Sequence, residues 1–566
     1  MKPLEIMVLH SLAKLLPGQD PQPEMNLTSW SALRGEKTAV QLAMRWFWHQ
    51  DAPEHRASAE LTLSSALAGR LTVSRVVSVP VNLAAYPVHD EHYLTTRPGL
   101  LPDLLEHLEP LSADAGSKKW NLRLLDNQWQ VFWLEFDIPI DGAAGDYPLH
   151  IELKAESGTL SAVNSTALTV IDAVLPEQTL IRTEWFYTDC LADYYRAPVF
   201  SEEHWQIIGQ FIKTAVDHGV NMILTPIFTP PLDTAVGGER TTTQLIAVEK
   251  KGPKWTFGFD QLKRWIDLAQ SLGIRYFEIS HLFTQWGAKA APKIMATVDG
   301  RTERVFGWDT PATGASYREF LAAFLPELTG RLLDWGLAGR CFFHISDEPG
   351  KNDLENYQQA KAQVKPYIKD FTIIDALSDY AFYTSGAVDK PIPASNHIQP
   401  FLDGQVPDLW TYYCCGQSTQ VSNQFMAMPS ERNRIIGIQF YLYQIEGFLH
   451  WGYNFYNSQH SLSRINPYLV NDAEASFPAG DAFLVYPGPD GRPEPSTRIK
   501  VFREALNDQR ALQLLESLTS RQKTVDLIME GLDEPITFNR YPRQAGWLLD
   551  LRRRVNQAIA DCVGRS

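Results

Sequence analysis

From Ile181 onward the chain repeats one rhythm, a short apolar run followed by an amphipathic stretch, and this rhythm restricts the fold more than any other feature. "IRTEWFY" leads into "EEHWQIIGQFIKTAVDHG", and "VNMILTPIF" leads, after an insert, into "FDQLKRWIDLAQSLG". "IRYFEISHLF" precedes a second insert and "SYREFLAAFLPELTGRLLDWG"; "GRCFFHIS" precedes "NDLENYQQAKAQVKPYI". Gly219 and Gly273 stand where the first two amphipathic stretches stop, as glycine does at helix ends. "FTIIDAL", "KPIPASN", "DLWTYYCC" and "GFLHWGYNFY" are four further strand-like runs, and a last helix, "STRIKVFREALNDQRALQLLE", starts after Pro495. Strands joined through helices lie parallel and need cover on both faces, so eight such units predict a closed (β/α)₈ TIM-type barrel. The fifth and sixth units are the shortest and least regular.

Before Pro176 the period is two. "TAVQLAMRWFWH", "AELTLSSALAGRLTVSRVVSVPVNL", "WQVFWLEFDIPI", "GDYPLHIELKA" and "TALTVIDAVLP" alternate apolar and polar residues, and "DGAAGDY" and "ESGT" read as turns between them. Short strands at even spacing predict an N-terminal antiparallel β-sandwich. A chain of 566 residues exceeds one ordinary domain. The expected division is a β-sandwich over 1–175, a catalytic barrel over 176–520 and a helical extension over 521–566. That extension holds "VDLIMEGL" and "GWLLDLRRRVNQAIADCV" and is expected to pack on the barrel. Two inserts, 229–254 and 288–313, are where specificity is expected to be set.

Composition excludes several classes. Net charge is −15, and lysines and arginines form no run longer than the three arginines at 552–554, so a nucleic-acid ligand is not expected. No G-x-x-x-x-G-K-[ST] or G-x-G-x-x-G follows a strand, so no nucleotide cofactor is expected. The opening "MKPLEIMVLHSLAKLLPGQDPQPEMN" lacks an uncharged core and a small-residue cleavage site, and no apolar run of membrane-spanning length occurs. The expected location is cytoplasmic. The five cysteines include the adjacent pair Cys414 and Cys415 and match no zinc or redox spacing, so reduced, buried thiols are expected.

In a barrel of this kind the chemistry sits at the C-terminal ends of the strands. The candidates there are Asp189; His281 and Trp286; Asp347 and Glu348; Trp410 and Tyr412; and Trp451, Tyr453 and Asn454, with Trp308 in the second insert. They describe an acidic, tryptophan-lined pit suited to a neutral, hydroxyl-rich ligand. Trp205, Trp265 and Trp335 fall within helical patterns and are read as core. Asp347 and Glu348 are the sharpest feature. As a helix start, Asp347 would cap and Glu348 would sit favourably in the first turn. Against that reading, Pro349 and Gly350 intervene, and Asn352 and Asp353 stand closer to the helix. Burial beside a like charge raises one carboxyl, as a general acid near neutral pH requires. A metal reading uses His344, Asp347 and His281. Strand alternation puts His344 and Asp347 on opposite faces, so no metal is expected. No G-x-S-x-G is present to support nucleophilic serine chemistry.

Four segments carry a family resemblance: "ISHLFTQWGAKAAPKIMATVDG", "HISDEPG", "LWTYYCCGQSTQVSNQFMAMPSERNRIIGIQFYLYQIEGFLHWGYNFY" and "GDAFLVYPGPDGRPEPSTRIKVFREALNDQRALQLLE". In this order they resemble glycoside hydrolase family 123, the retaining β-N-acetylgalactosaminidases, and the broader group sharing their catalytic domain. The resemblance implies substrate-assisted catalysis, in which the sugar's 2-acetamido oxygen attacks C1 to form an oxazolinium intermediate. It implies that Asp347 orients the acetamido N–H and that Glu348 protonates the leaving oxygen and then activates water. The implied substrate is an oligosaccharide or glycoconjugate with a terminal N-acetylhexosamine, cleaved from the end. The alternatives are a β-hexosaminidase or other glycosidase with a different sugar preference, or a non-catalytic carbohydrate-binding protein.

Overall fold

The computed structural model describes residues 4–47, 56–155 and 161–564. The "ESGT" turn at 156–159 and the end of "TAVQLAMRWFWH" at 48–49 lie outside the described residues. The chain forms two compact units. One comprises Met1–Gln178, Ser422–Leu442 and Glu494–Ser566, and the other Thr179–Val421 and Tyr443–Pro493. This division is not linear, because the helices of 422–442 and those after 494 group with the N-terminal region.

The first unit is rich in sheet. Five strands run in the order Leu4–His10, Lys37–Trp46, Gln130–Asp137, Leu71–Val81 and Gly99–His107. Six more run in the order Ser29–Arg34, Ser161–Val174, Gly145–Ala155, Arg56–Ser64, Ser117–Leu125 and Ser112–Ala113. Leu42, Val73 and Leu134 from the first sheet share one core with Leu61, Trp120 and Ile151 from the second. The period-two pattern explains this. Along Gly145–Ala155, Leu149, Ile151 and Leu153 are buried while His150, Glu152 and Lys154 are exposed. The pairing is not wholly antiparallel, because Ser29–Arg34 runs parallel to Ser161–Val174. A hairpin turn can enforce antiparallel pairing only between neighbouring segments, and these two are far apart in the chain.

The C-terminal helices also depart from expectation. Arg521–Met529 and Ala545–Val563 were expected on the barrel, but they belong to the sheet-rich unit. Leu548, Leu551, Val555 and Ile559 form an i, i+3, i+4 stripe that shares a core with Leu33 and Ile171 of its strands. Arg552 fixes that face with ion pairs to Glu36 at 2.6 Å and Asp508 at 2.9 Å.

The second unit holds eight short parallel strands: β1 Ile181–Glu184, β2 Met222–Thr225, β3 Tyr276–Ile279, β4 Cys341–Phe343, β5 Thr372–Ala376, β6 Lys390–Ile392, β7 Trp410–Tyr412 and β8 Gly447–His450. Their order is β6-β5-β4-β3-β2-β1-β8-β7, with every pairing parallel. The sheet is nearly closed. Ala394, just past β6, bridges Tyr412 in parallel, and the Tyr412 amide donates to the Pro393 carbonyl at 3.1 Å.

Helices Glu202–Asp217 and Asp260–Leu272 follow β1 and β2 and stop at Gly219 and Gly273, both at positive φ. Beyond β5 and β6 only the short helices Tyr380–Thr384 and Gln399–Asp403 intervene, which explains the weak sequence pattern there. The two inserts meet in one four-stranded sheet in the order Lys254–Gly258, Ala247–Lys251, Ile294–Val298 and Arg301–Phe306. Trp205 and Trp265 are buried, whereas Trp335 is half-buried. Among the described residues no helix is long and apolar enough to cross a membrane.

Candidate active site

β4 is buried throughout, and the chain leaves it as His344-Ile345-Ser346 before reaching the acid pair. The loop after β3 runs alongside. The Leu282 and Phe283 amides donate to the His344 and Ile345 carbonyls, and the Trp286 amide donates to the Asp347 carbonyl at 2.9 Å. Trp286, Ala288 and Glu348 all have positive φ, at 58°, 53° and 41°. Backbone strain of this kind persists only where its surroundings enforce it. Gly287 shows the enforcement. Its φ is +110°, and a Cβ there would come within 2.4 Å of an Asp353 carboxylate oxygen. The Asp353 carboxylate accepts the Gly350 amide at 3.1 Å, so Asp353 serves the helix start. The Asp347 and Glu348 side chains are left for the pocket.

That pocket is a cavity of about 210 Å³ walled by Trp185, Tyr187, Trp286, Tyr412 and Trp451, with Asp347, Glu348 and Asp233 on its lining. Asp347 is half-buried and, among the described residues, its carboxylate makes no side-chain hydrogen bond. Glu348 is open to solvent at the mouth, and Oε1 accepts the Tyr412 hydroxyl at 2.6 Å. Burial pushes the Asp347 carboxyl well above the usual carboxylate range, and the adjacent Glu348 charge pushes it the same way. Glu348 is raised too, by dehydration within the surrounding loops, against the lowering effect of the Tyr412 hydroxyl.

Of the residues expected from sequence, the structure brings together Asp347, Glu348, Trp286, Tyr412 and Trp451. The others lie elsewhere. Trp410 begins β7, fully buried at the strand's opposite end, and its indole donates to Glu446 at 2.9 Å. A three-residue strand leaves room for one end residue at the site, and that residue is Tyr412. Tyr453 is buried, with its hydroxyl on the Phe211 carbonyl at 2.8 Å. Trp308 lines a separate small cavity beside Arg240.

Asn454 and Asp189 act one layer back. Asn454 exchanges two hydrogen bonds with the Tyr187 backbone, at 2.9 and 3.1 Å. Asp189 holds Arg240 in a two-pronged ion pair, and that guanidinium lies 4.9 Å from the Tyr187 ring centre. Tyr187 therefore stands rigidly in the wall, and its buried hydroxyl has no hydrogen-bond partner among the described residues. Trp185 and Tyr187 were missed because "IRTEWFY" reads as one strand. β1 ends at Glu184, which places both rings at the strand end. Asp233 and His460 come from long loops, where no periodicity marks them. Cys414 and Cys415 line the pocket, and the Cys414 thiol is held well above its ordinary range by Cys415 and by burial, so it is a poor nucleophile.

Two buried imidazoles support the tryptophan walls. His344 bridges Glu278 at 2.9 Å and Asp375 at 3.2 Å; Glu278 also accepts the Trp185 indole at 3.3 Å and the Thr183 hydroxyl. His450 bridges Glu184 at 3.0 Å and Asp481 at 3.5 Å, and Asp481 accepts the Trp451 indole at 2.8 Å. Burial alone would lower both imidazoles, but the flanking carboxylates win and raise each to about 9. Each therefore holds its proton more tightly folded than unfolded. Their stabilising contribution is complete below pH ~6.5 and is lost as pH climbs through about 9. The melting temperature should fall across that interval, and His344→Gln should make the fall shallower; an identical profile for the variant would refute this assignment.

His281 stacks on His344 with ring centres 4.3 Å apart and planes 20° from parallel, and burial drives it well below its usual range. His281, His344 and Asp375 bring ligand-type atoms within 4.8 Å of one another. Lone pairs of imidazole lie in the ring plane, so two nearly parallel stacked rings do not converge on one ion. Both His344 nitrogens already face carboxylates. Asp347 stands apart from this group.

A parallel barrel with two crowded carboxyls at a strand end, in a pocket walled by indoles, is the architecture of a carbohydrate-cleaving enzyme. The sequence description of the glycoside hydrolase 123 catalytic domain matches residues 185–515, and the chain belongs to that family of glycoside hydrolases. Among solved structures it is similar to a family 123 glycoside hydrolase from Clostridium perfringens, studied for glycolipid glycan hydrolysis. The two share 17% identity over 99% of this chain and 98% of that one, with a TM-score of 0.71. A GH10 xylanase containing a bacterial Ig-like domain, from termite gut, aligns at 11% identity over 86% of this chain and all of that one, with a TM-score of only 0.34. No curated protein sequence matches.

Proposed function

We propose that the chain is a retaining exo-β-N-acetylgalactosaminidase that works by substrate-assisted catalysis. The observation that carries this reading is the unequal placement of the two acids. Asp347 lines the tryptophan-walled pocket but not the wider cavity beyond it, whereas Glu348 and Tyr412 line both. One acid is thus confined with the terminal sugar, and the other stands at the boundary where a bond would be cut. The Clostridium perfringens relative was studied for glycolipid glycan hydrolysis, in keeping with a glycan as the substrate.

In the first step the acetamido oxygen forms a bond to C1 as the glycosidic C1–O bond breaks, and Glu348 passes its proton to the leaving oxygen. Asp347 accepts the acetamido N–H and offsets the positive charge of the oxazolinium ring. In the second step Glu348 takes a proton from water as that water attacks C1 and the C1–O bond to the acetamido oxygen breaks, which restores the acetamide and retains configuration. Both carboxyls are raised in the empty pocket, and Asp347 lacks a hydrogen-bond donor. The bound acetamide supplies one. Hydrogen bonding to a carboxylate favours its ionised form, so substrate draws Asp347 toward the anion and leaves the proton with Glu348. A thiazoline mimic of the intermediate should inhibit far more strongly than the free sugar. Indifference to it would exclude acetamido participation.

A further inference from the structure

The wider cavity, about 580 Å³, begins where the inner pocket ends, and the two share only Glu348 and Tyr412 on their linings. Glu348 reaches this dividing position through its left-handed backbone, φ 41°. Past the divide the lining mixes apolar surface from Pro349, Leu377 and the Tyr380 ring with polar groups from Lys351, Ser378, Asp379 and His397. Lys351 and His397 are exposed, and no hydrogen bond within the described protein occupies the Lys351 ammonium. Tyr380 is a rigid platform. Its ring stacks with Tyr383 at 5.9 Å and meets the edge of Phe401 at 5.0 Å. Gly404 packs so closely that an added Cβ would come within 2.0 Å of the Tyr380 hydroxyl oxygen.

On the reading that Glu348 protonates the leaving oxygen, we propose that this outer cavity is the leaving-group site and selects a saccharide over a simple alcohol or phenol. Tyr380 is its stacking surface, and Lys351 and His397 donate hydrogen bonds to sugar oxygens. A fixed aromatic face with mobile donors at its rim suits a ring that is apolar on one face and hydroxylated at its edge. The proton leaving Glu348 ends on the saccharide's bridging oxygen, so the departing sugar is released as a neutral alcohol into this open cavity.

The test compares two substrates of the same terminal N-acetylgalactosamine, one a nitrophenyl glycoside and one an oligosaccharide. Tyr380→Ala and the double variant Lys351→Ala, His397→Ala should lose about tenfold in kcat/KM on the oligosaccharide. On the nitrophenyl glycoside the loss should be about twofold or less. Equal losses on both substrates would show a merely structural role, and no loss on either would remove these residues from substrate binding; both outcomes overturn the proposal. A second measurement needs no variant. The free leaving saccharide should inhibit cleavage of the nitrophenyl glycoside by the unsubstituted protein at millimolar concentration, and no inhibition at saturating saccharide would contradict the site. If the unsubstituted protein cleaves neither substrate, the N-acetylgalactosaminidase reading itself fails, an outcome distinct from the two above.

Discussion

Glu348→Gln is expected to lower kcat/KM on an oligosaccharide by roughly 10²–10⁴-fold, the usual scale of a lost general acid. The amide cannot protonate the leaving oxygen, although it still fits the space beside Tyr412. A nitrophenyl leaving group departs as a stable anion and needs little protonation, so its cleavage should suffer much less. This contrast separates an acid from a group that only binds sugar. Equal loss on both substrates would instead describe a damaged pocket. Measuring both constants on both substrates decides it, with the melting temperature as a control for folding.

Asp347→Asn should behave differently. The carboxylate is proposed to stabilise the oxazolinium itself, so every substrate should lose rate, nitrophenyl glycosides included, by about 10²–10³-fold. The same substitution should stabilise the fold. The Asp347 carboxyl is raised above its unfolded value, so ionising it in the folded state is unfavourable and stability is lost as pH rises above the unfolded value of about 4. Asparagine carries no such penalty. Its melting temperature at pH 7 should exceed that of the parent by roughly 2 °C, and the gap should close as pH falls below about 4, where the parent becomes protonated in both states. An inactive variant that also melts lower across the whole range would contradict this account of Asp347. A gain in stability with a loss of activity is the expected mark of two like charges held together for chemistry.

Which parts of this were legible in the sequence follows from how local each signal is. Helix ends at Gly219 and Gly273 are fixed by a glycine's access to positive φ, and both stops lie where the pattern put them. The eight strand runs were readable because both faces of each strand are buried. The grouping of Thr497–Leu518 and Ala545–Val563 with the sheet-rich unit was not readable, because an apolar stripe does not say which surface it meets. The parallel edge at Ser29–Arg34 escaped for the same reason.

At the site, position along a strand gave Asp347, Glu348, Trp286, Tyr412 and Trp451. The same rule misplaced Trp410, where β7 is so short that two residues reverse top and bottom. It passed over Trp185 and Tyr187 because an apolar run hides where its hydrogen-bonded strand stops. The charged layer of Glu278, His344, Asp481 and His450 has no sequence signature, since its members come from separate strands and the loop after β8.

The central claim is that the substrate's own acetamide is the nucleophile. The most direct measurement is the rate on nitrophenyl β-N-acetylgalactosaminide, β-N-acetylglucosaminide and β-galactoside under the same conditions. The account predicts turnover of the first, with the β-galactoside slower by about 10³-fold or more, because it lacks the attacking oxygen and the N–H that Asp347 accepts. Hydrolysis of the β-galactoside as fast as the β-N-acetylgalactosaminide would contradict it.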